Sequence, residues 1–244
     1  MIGSCKINSE MRFIVKNTTF CGLADLVCPY YCRGCGKVGE ILCECCKKNI
    51  IEDRLNHCPK CGKVISDSCR ECRLPFSAEF VVGYRDELIG ALAEEFKFFG
   101  VRKLGKVLAE ILDESLPDFS QDVSVIPMPT IRKHVRERGL DHTYVAAKEL
   151  ARIRGWKIER LLIRRNDTVQ LGATARTRRQ QAKEAYGFSG KIDEDRIYVL
   201  FDDIWTTGAS MTEAGKILKE NGAKKLVAVV LATNRKGKKP IVKH

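Results

Sequence analysis

Residues 197–210 read Ile197-Tyr-Val-Leu-Phe-Asp-Asp-Ile-Trp-Thr-Thr-Gly-Ala-Ser210, and their pattern indicates the fold class. The run of apolar residues at its start predicts a buried strand over 197–201. Two adjacent acids, Asp202 and Asp203, follow the predicted strand. Small and hydroxylated residues then lead into a predicted helix that begins near Thr212. A buried strand that passes through a short loop into a helix is typical of α/β proteins.

The loop after the two acids has the chemistry of a phosphate site. Backbone amides at a helix N-terminus attract anions, and threonine and serine hydroxyls add further donors. The residues of this loop are Thr206, Thr207, Gly208, Ala209 and Ser210. Asp202 and Asp203 can accept hydrogen bonds from a diol, so phosphate donors lie beside diol acceptors. This combination fits a ribose 5-phosphate, whereas an ordinary capped turn does not need two adjacent acids.

The same stretch resembles the 5-phosphoribosyl-1-pyrophosphate (PRPP) motif of type I phosphoribosyltransferases. The resemblance covers the apolar strand, the Asp-Asp pair, two apolar residues and Thr-Thr-Gly-Ala-Ser, although Trp205 is bulkier than the usual residue. It implies that Asp202 and Asp203 hold the ribose hydroxyls and that residues 206–210 hold the 5-phosphate. It also implies that Mg²⁺ bridges the pyrophosphate of PRPP and that Arg132 or Lys133 stabilises the leaving group.

Composition and charge narrow the class of partner. The chain has 244 residues, 44% of them hydrophobic, and a formal net charge of +12. This charge favours an anionic partner such as a nucleic acid or a phosphorylated substrate. The basic excess is uneven, because residues 151–185 carry ten Lys or Arg against three acids. No apolar run approaches the ~18 residues that a membrane span needs, and charged residues interrupt the first thirty positions, so we expect a cytoplasmic protein without membrane insertion.

All twelve cysteines lie before position 73, and eight of them form a repeat with an offset of 26 residues. Each half of the repeat has two Cys-x2-Cys pairs separated by seven residues. The eight cysteines are Cys32, Cys35, Cys43 and Cys46 in the first half, and Cys58, Cys61, Cys69 and Cys72 in the second. Thiolates with this spacing are typical ligands of tetrahedral zinc, and the pattern predicts two zinc ions. So small a segment has little core of its own, so we expect metal binding to supply much of its folding energy.

Alternatives to zinc explain the cysteine pattern less well. Disulfides are unusual in a chain without a secretory signal, and a redox motif does not need four Cys-x2-Cys pairs. The spacing allows sequential or interleaved pairing of the four pairs, and Cys45 could replace either neighbouring ligand. His57 adjoins Cys58 and is interpreted as a surface neighbour. The remaining cysteines, Cys5, Cys21 and Cys28, have no clear partners.

Strands alternate with helices after the cysteine segment. The pattern predicts strands over 79–84, 122–126, 161–163, 197–201 and 225–233, and helices over 86–99, 101–115, 141–154 and 176–185. Such alternation predicts a mostly parallel sheet with helices on both faces, in which ligands lie beyond the carboxyl ends of the strands. The Pro127-Met-Pro129 turn, a basic loop over 132–139 and the Asp-Asp loop are all expected at that edge.

The combination resembles the ComF family, the ComFC proteins of natural competence. The resemblance extends from about Cys32 to Thr233, and its landmarks are the stretches 95–100, 125–129, 136–142 and 164–170. It implies a small Cys-rich zinc domain fused to a type I phosphoribosyltransferase-like α/β domain. The boundaries we expect are a lead segment 1–27, the zinc domain 28–75, the phosphoribosyltransferase-like domain 76–234 and a basic tail 235–244.

Two functions follow from this resemblance. The first is DNA uptake during natural transformation, in which the protein handles incoming single-stranded DNA and works with a ComFA-like competence helicase. The basic stretch suggests that arginines carry the DNA contacts, namely Arg164, Arg165, Arg176, Arg178 and Arg179. The alternative is an active phosphoribosyltransferase that uses PRPP and Mg²⁺ with an acceptor that no residue identifies. Trp156 and Trp205 could stack on bases, but packing roles are favoured for both.

Overall fold

A computed structural model describes residues 29–165 and 185–235. A parallel sheet of five strands, in the order β1-β7-β6-β2-β3, forms its centre. The strands are β1 (Ala78–Tyr84), β2 (Val123–Pro127), β3 (Lys157–Ile158), β6 (Ile197–Trp205) and β7 (Lys225–Thr233). Two short strands, β4 (Leu162–Arg164) and β5 (Tyr186–Phe188), pair antiparallel in a separate sheet. The predicted α/β class with a mostly parallel sheet is therefore confirmed.

Six helices complete the part of the chain that the structure describes. They are α1 (Glu44–Glu52), α2 (Leu88–Phe99), α3 (Arg102–Ser115), α4 (Arg132–Arg138), α5 (His142–Arg154) and α6 (Ala209–Glu220). None of the described helices is long and apolar enough to span a membrane.

The sheet is buried on both faces. On one face, Val199 and Phe201 of β6 belong to a core that includes residues of α2, α3 and α5. On the other face, Tyr198 and Leu200 belong to a core that includes residues of α6 and the small sheet. Successive side chains of a strand point to opposite faces, so a strand buried on both faces needs an unbroken apolar run. This requirement explains why β6 and β7 could be recognised from sequence.

The cysteine segment packs against the edge strand β1 and helices α2 and α3. Its apolar side chains Ile41, Leu42, Ile50 and Ile51 join the core formed with α2, α3 and α5. An ion pair of 2.8 Å joins Arg33 to Glu95 of α2. The apolar core of this segment is therefore continuous with that of the α/β domain, and this packing orders the segment independently of any metal.

Several sequence predictions need correction. Residues 132–138 were expected to form a loop, but they form α4, which ends at Gly139 with φ +66°. The Asp-Asp pair lies within β6, which continues to Trp205, because this part of β6 still pairs with β7. Helix α6 begins at Ala209 rather than near Thr212. The strand predicted over 161–163 belongs to the small sheet, and β3 and β5 were not predicted. The helix predicted over 176–185 lies outside the described residues except for its last position.

Candidate functional site

A cleft of about 370 Å³ opens at the carboxyl ends of β2 and β6. Its lining combines the turn after β2, the Asp-Asp pair and the loop after β6 with side chains from α2, α4 and the small sheet. Residues predicted from the sequence that lie here are Asp202, Asp203, Thr206, Thr207, Gly208, Ala209 and Ser210. The structure therefore brings the acids and the hydroxylated loop to one cavity, as the α/β topology leads us to expect.

The loop after β6 is shaped by Gly208. Its φ is +73°, a conformation that favours glycine, and a Cβ at this position would lie 2.2 Å from the Trp205 ring. Trp205 itself is only 1% exposed and packs edge-on against Phe76. The Trp205 ring thus lies against the loop and serves packing, which leaves the loop backbone at the surface of the cleft.

Helix α6 begins at this loop without a side-chain hydrogen bond from its N-cap residue, and the Thr207 hydroxyl accepts from the Ala209 amide only at a long 3.4 Å. Gly208 occupies the cap position and has no side chain that could accept from the first amides of the helix. The carbonyl of Gly208 accepts from the amide of Thr212 at 2.8 Å, which is the first turn of the helix. Thr206 and Thr207 are exposed beside these amides. The arrangement provides backbone and hydroxyl donors for an anion.

Asp203 is held by two long-range contacts. Its Oδ2 accepts from Lys97 Nζ at 2.6 Å and lies 3.1 Å from His142 Nε2, while its Oδ1 accepts from the amide of Ile204. Burial alone would raise the pKa of the Asp203 carboxyl, but His142 and Lys97 outweigh burial and lower this pKa. Asp203 therefore fixes the end of α2 and the start of α5 at the floor of the cleft.

Asp202 has a different environment, although it is adjacent in sequence. It is half-buried, and its Oδ1 accepts from the amide of Asp203 at 2.9 Å. Burial and the charge of Asp203 raise the pKa of the Asp202 carboxyl well above its usual range. A strand places these two side chains on opposite faces of the sheet, so one acid is held by α2 and α5 while the other remains available to a ligand.

The cations that face the cleft differ from those that the sequence suggested. Arg132 and Lys133 are exposed and do not line the cleft, whereas His134 and Arg138, on another face of α4, do. Burial and the charge of Arg138 lower the pKa of His134. Nη1 of Arg138 is buried without a hydrogen-bond partner among residues 29–165 and 185–235.

The arginines expected to bind DNA are only partly described. Arg164 lines the cleft and donates to the hydroxyl of Tyr186 at 3.1 Å, and burial raises the pKa of Tyr186. Arg165 is exposed and packs over Gly187. The other three, Arg176, Arg178 and Arg179, lie outside the described residues.

The eight repeated cysteines form two groups, one from each half of the repeat. Cys32, Cys35, Cys43 and Cys46 make the first group, and Cys58, Cys61, Cys69 and Cys72 make the second; in each, the sulfurs lie within 4.8 Å of one another. Pairing is therefore sequential, and neither Cys45 nor His57 belongs to a group.

Sulfur geometry in both groups fits zinc. The Cys35–Cys43 and Cys61–Cys69 sulfur pairs are 3.7 Å and 3.6 Å apart. Tetrahedral Zn–S bonds of ~2.3 Å place sulfurs about 3.8 Å apart, whereas a disulfide needs about 2 Å. The donor set thus suits Zn²⁺ in each group.

The two cysteine groups have the same kind of backbone turn. Gly36 and Gly62 follow the first pair of each group with φ of +79° and +77°, and each amide donates to the carbonyl of the cysteine four positions earlier. The amides of Cys43 and Lys60 also donate to cysteine sulfurs, at 3.3 Å and 3.4 Å. These bonds orient the sulfurs and stabilise thiolates.

Comparison with known proteins finds relatives that match most of the chain. Competence protein F of Haemophilus influenzae is 24% identical over 80% of this chain and 92% of its own length. Competence protein ComFC of Streptococcus pneumoniae is 25% identical over 75% of this chain and 83% of its own length. The chain is a homologue of these competence proteins.

The comparisons with family models and solved structures give weaker results. No family model matches the chain. A solved structure described as the allosteric regulatory enzyme of purine biosynthesis aligns with a TM-score of 0.40 and 18% identity, over 57% of this chain and 30% of that chain.

Sequence reasoning missed several cleft residues. Lys97 and His142, which hold Asp203, lie 106 and 61 positions away from it in the chain. His134, Arg138 and Tyr186 also line the cleft. His134 and Arg138 are four positions apart, so they lie on one side of α4. This side could have been distinguished from the exposed side only if a helix had been expected there.

Proposed function

We propose that this protein binds PRPP in the cleft and acts in DNA uptake during natural transformation, where it handles incoming single-stranded DNA. The observation that carries the PRPP proposal is the uncapped start of α6 lying in one cavity with the Asp202 carboxylate. Donors for a phosphate and an acceptor for a diol thus face the same space, which is what a ribose 5-phosphate requires.

Each part of the cleft has a distinct task in this proposal. The amides and hydroxyls of residues 206–210 hold the 5-phosphate, and Asp202 accepts from the ribose hydroxyls. Asp203 positions Lys97 and His142 and contacts the ligand less directly than Asp202. Arg138 and His134, which line the cleft, would hold the pyrophosphate, and Mg²⁺ bound with it would neutralise part of its charge. Arg132 and Lys133 are not assigned to this site, because they are exposed and are not among the residues that line the cleft.

The role in DNA uptake is supported by the homologues named competence proteins. It is also supported by the formal net charge of +12, since Lys and Arg release counterions from nucleic-acid phosphates. Arg164 and Arg165, with Arg176, Arg178 and Arg179 beyond the described residues, are proposed as DNA contacts. A competence helicase is the proposed protein partner, and the two cysteine groups are proposed to hold two zinc ions.

An active phosphoribosyltransferase is the second candidate. It is favoured by Arg138, which lines the cleft and whose buried Nη1 has no hydrogen-bond partner among the described residues. A fixed cation at this place could stabilise a departing pyrophosphate, and catalysis would then rest on positioning and electrostatics.

Titration calorimetry with PRPP and Mg²⁺ tests the binding proposal. We expect one site in the wild type and a loss of affinity of at least tenfold in Thr207→Val, because an exposed hydroxyl donor is removed from the phosphate site. Thr212→Val, one turn further along α6 and outside the cleft lining, is the matched control. Labelled PRPP incubated with candidate acceptors separates binding from turnover, and a gene deletion scored for transformation tests the role in uptake. No heat of binding in the wild type would remove the PRPP proposal.

A further inference from the structure

Helix α2 joins the cysteine segment to the cleft. Its residues Glu94, Lys97 and Phe98 line the cleft, whereas Glu95 is not among the lining residues. Glu95 is only 6% exposed, although its side chain is a carboxylate. A buried carboxylate is costly unless it is paired, and the partner of this one comes from the cysteine segment.

The partner of Glu95 is Arg33, which lies between Cys32 and Cys35 of the first cysteine group. Nε of Arg33 donates to both carboxylate oxygens of Glu95, at 3.1 Å and 3.0 Å, and Nη2 donates to Oε1 at 2.8 Å. Nη1 donates to the carbonyl of Tyr31 at 3.1 Å. Two nitrogens of one guanidinium on one carboxylate form a fork of defined geometry. The fork therefore fixes Glu95 relative to the backbone turn of the first cysteine group.

The backbone of the same turn also approaches the start of α2. A Cβ on Gly34 would lie 2.6 Å from the sulfur of Cys46 and 2.9 Å from Cδ2 of Leu88, the first residue of α2. The turn thus fits closely between a sulfur of the first group and the helix. Since Leu88 and Glu95 are about two helical turns apart, the first cysteine group contacts α2 over much of its length.

The other side of α2 is held at the floor of the cleft. Lys97, two residues after Glu95, donates to Asp203 at 2.6 Å. Two positions along a helix correspond to a rotation of about 200°, so the two ion pairs hold α2 from nearly opposite sides. Apolar burial is not directional, whereas an ion pair with hydrogen bonds fixes a side chain at one place. A shift of α2 would separate Lys97 from Asp203 and leave the cleft more negative, which disfavours an anionic ligand.

We infer that Arg33 and Glu95 are positioning residues for the PRPP site, because through their ion pair the first cysteine group holds α2 where Lys97 contacts Asp203. Neither Arg33 nor Glu95 lines the cleft, so both act through the helix. The cysteine segment then has a task in ligand binding as well as in folding. The inference rests on the proposed function, because it concerns the affinity of the same cleft for PRPP.

Titration calorimetry with PRPP and Mg²⁺, carried out on the full chain loaded with zinc, tests the ion pair. Arg33→Gln and Glu95→Gln should each weaken PRPP binding by at least about fivefold, the lower end of the usual coupling between separate sites. The double variant should lose no more affinity than either single variant, since all three lack the same fork. Arg33→Lys keeps the charge without the fork and should bind PRPP more tightly than Arg33→Gln.

Lys47 provides a matched control. It directly follows Cys46 of the same cysteine group, its side chain is 8% exposed, and it pairs with Glu110 of α3 at 2.9 Å. Lys47→Gln therefore breaks an equally close ion pair between the cysteine segment and the α/β domain, but one that does not involve α2. This variant should have a lowered melting temperature and an unchanged PRPP affinity. Zinc content of each variant establishes that the cysteine groups are intact.

The outcomes separate the inference from the proposed function. If the wild type binds PRPP and Arg33→Gln binds it equally well, the positioning role is wrong and the PRPP proposal stands. Equal losses of affinity in Arg33→Gln and Lys47→Gln would assign the effect to general destabilisation and overturn the inference. A double variant whose loss is the product of the two single losses would show that Arg33 and Glu95 act separately. If the wild type binds no PRPP, the proposed function fails and the inference fails with it.

Discussion

Replacing Asp203 should destabilise the fold, whereas replacing Asp202 should not. Asp203 is 8% exposed at its side chain and accepts from Lys97, which is 24% exposed, and from the buried His142. In Asp203→Ala both partners lose their acceptor at the floor of the cleft. Among the described residues, burial and the charge of Asp203 outweigh the attraction of Lys97 for Asp202, and together they raise the pKa of the Asp202 carboxyl.

The size of the Asp203 effect follows from its burial. Removal of one partner from a buried ion pair costs roughly 3–5 kcal/mol, because the remaining charge is left unpaired. Lys97 can still reach water, so the lower end applies, and we expect a loss of about 3 kcal/mol in the free energy of unfolding. For a protein of this size that loss lowers the melting temperature by roughly 6–12 °C. Asp202→Asn removes repulsion instead and should raise stability by about 0.5–2 kcal/mol while PRPP affinity falls.

Dependence on pH provides a second check. A depressed pKa in the folded state means that Asp203 contributes stability above the pKa of the unfolded carboxyl, about 3.9. This contribution is lost as pH falls through the lower pKa of the folded state. The stability difference between the wild type and Asp203→Ala should therefore be constant near neutral pH and shrink below about pH 4. For Asp202, whose folded pKa is raised, the ionised form costs stability at neutral pH, and the gain in Asp202→Asn should shrink as pH falls through that raised pKa.

Denaturant unfolding of the two single variants and the wild type is the assay. Equal stabilities of Asp203→Ala and the wild type would refute the role assigned to the Lys97 and His142 contacts. A destabilised Asp202→Asn would refute the electrostatic account of Asp202. The double replacement of both acids cannot separate ligand binding from folding, because Asp203 belongs to the structure of the cleft floor.

Three further predictions follow together. Elemental analysis of reduced, freshly purified protein should find about two zinc ions per chain in the wild type and in Cys45→Ser, and about one in Cys61→Ser. Less than half an equivalent of zinc in the wild type would contradict the zinc assignment. Gly208→Ala should lower the free energy of unfolding by about 1–3 kcal/mol more than Gly139→Ala does. Both glycines have positive φ, but only a Cβ at Gly208 would meet the Trp205 ring, so equal losses of stability would contradict this contact. Arg164→Gln should lower the salt slope of single-strand binding by about 0.7, and an unchanged slope would remove Arg164 from the DNA contacts.

The parallel sheet could be predicted because burial on both faces requires unbroken apolar runs. The strand β7 was predicted with its bounds, Lys225–Thr233, and β6 with its start. The end of β6 was missed because Asp202 and Asp203 are poor strand residues. Pairing with β7 as far as Thr233 overrides that preference.

The candidate site was predicted where its residues are adjacent in sequence. Long-range partners could not be found in the same way, since Lys97 and His142 reach Asp203 only through the packing of α2 and α5. Helix α4 was missed because its short basic sequence has no buried residue and therefore no apolar period. The two cysteine groups were found from their spacing, but sequential pairing depends on the fold, because both arrangements satisfy the same spacing.

The most direct test of the PRPP site is a crystal structure of the protein grown with PRPP and Mg²⁺. We expect the 5-phosphate to lie on the amides of residues 206–210 and the ribose hydroxyls to lie within hydrogen-bond distance of Asp202. Arg138 should contact the pyrophosphate, and Asp203 should keep its contacts with Lys97 and His142. PRPP bound elsewhere, or a cleft without ligand at a PRPP concentration that saturates a calorimetric titration, would contradict the account.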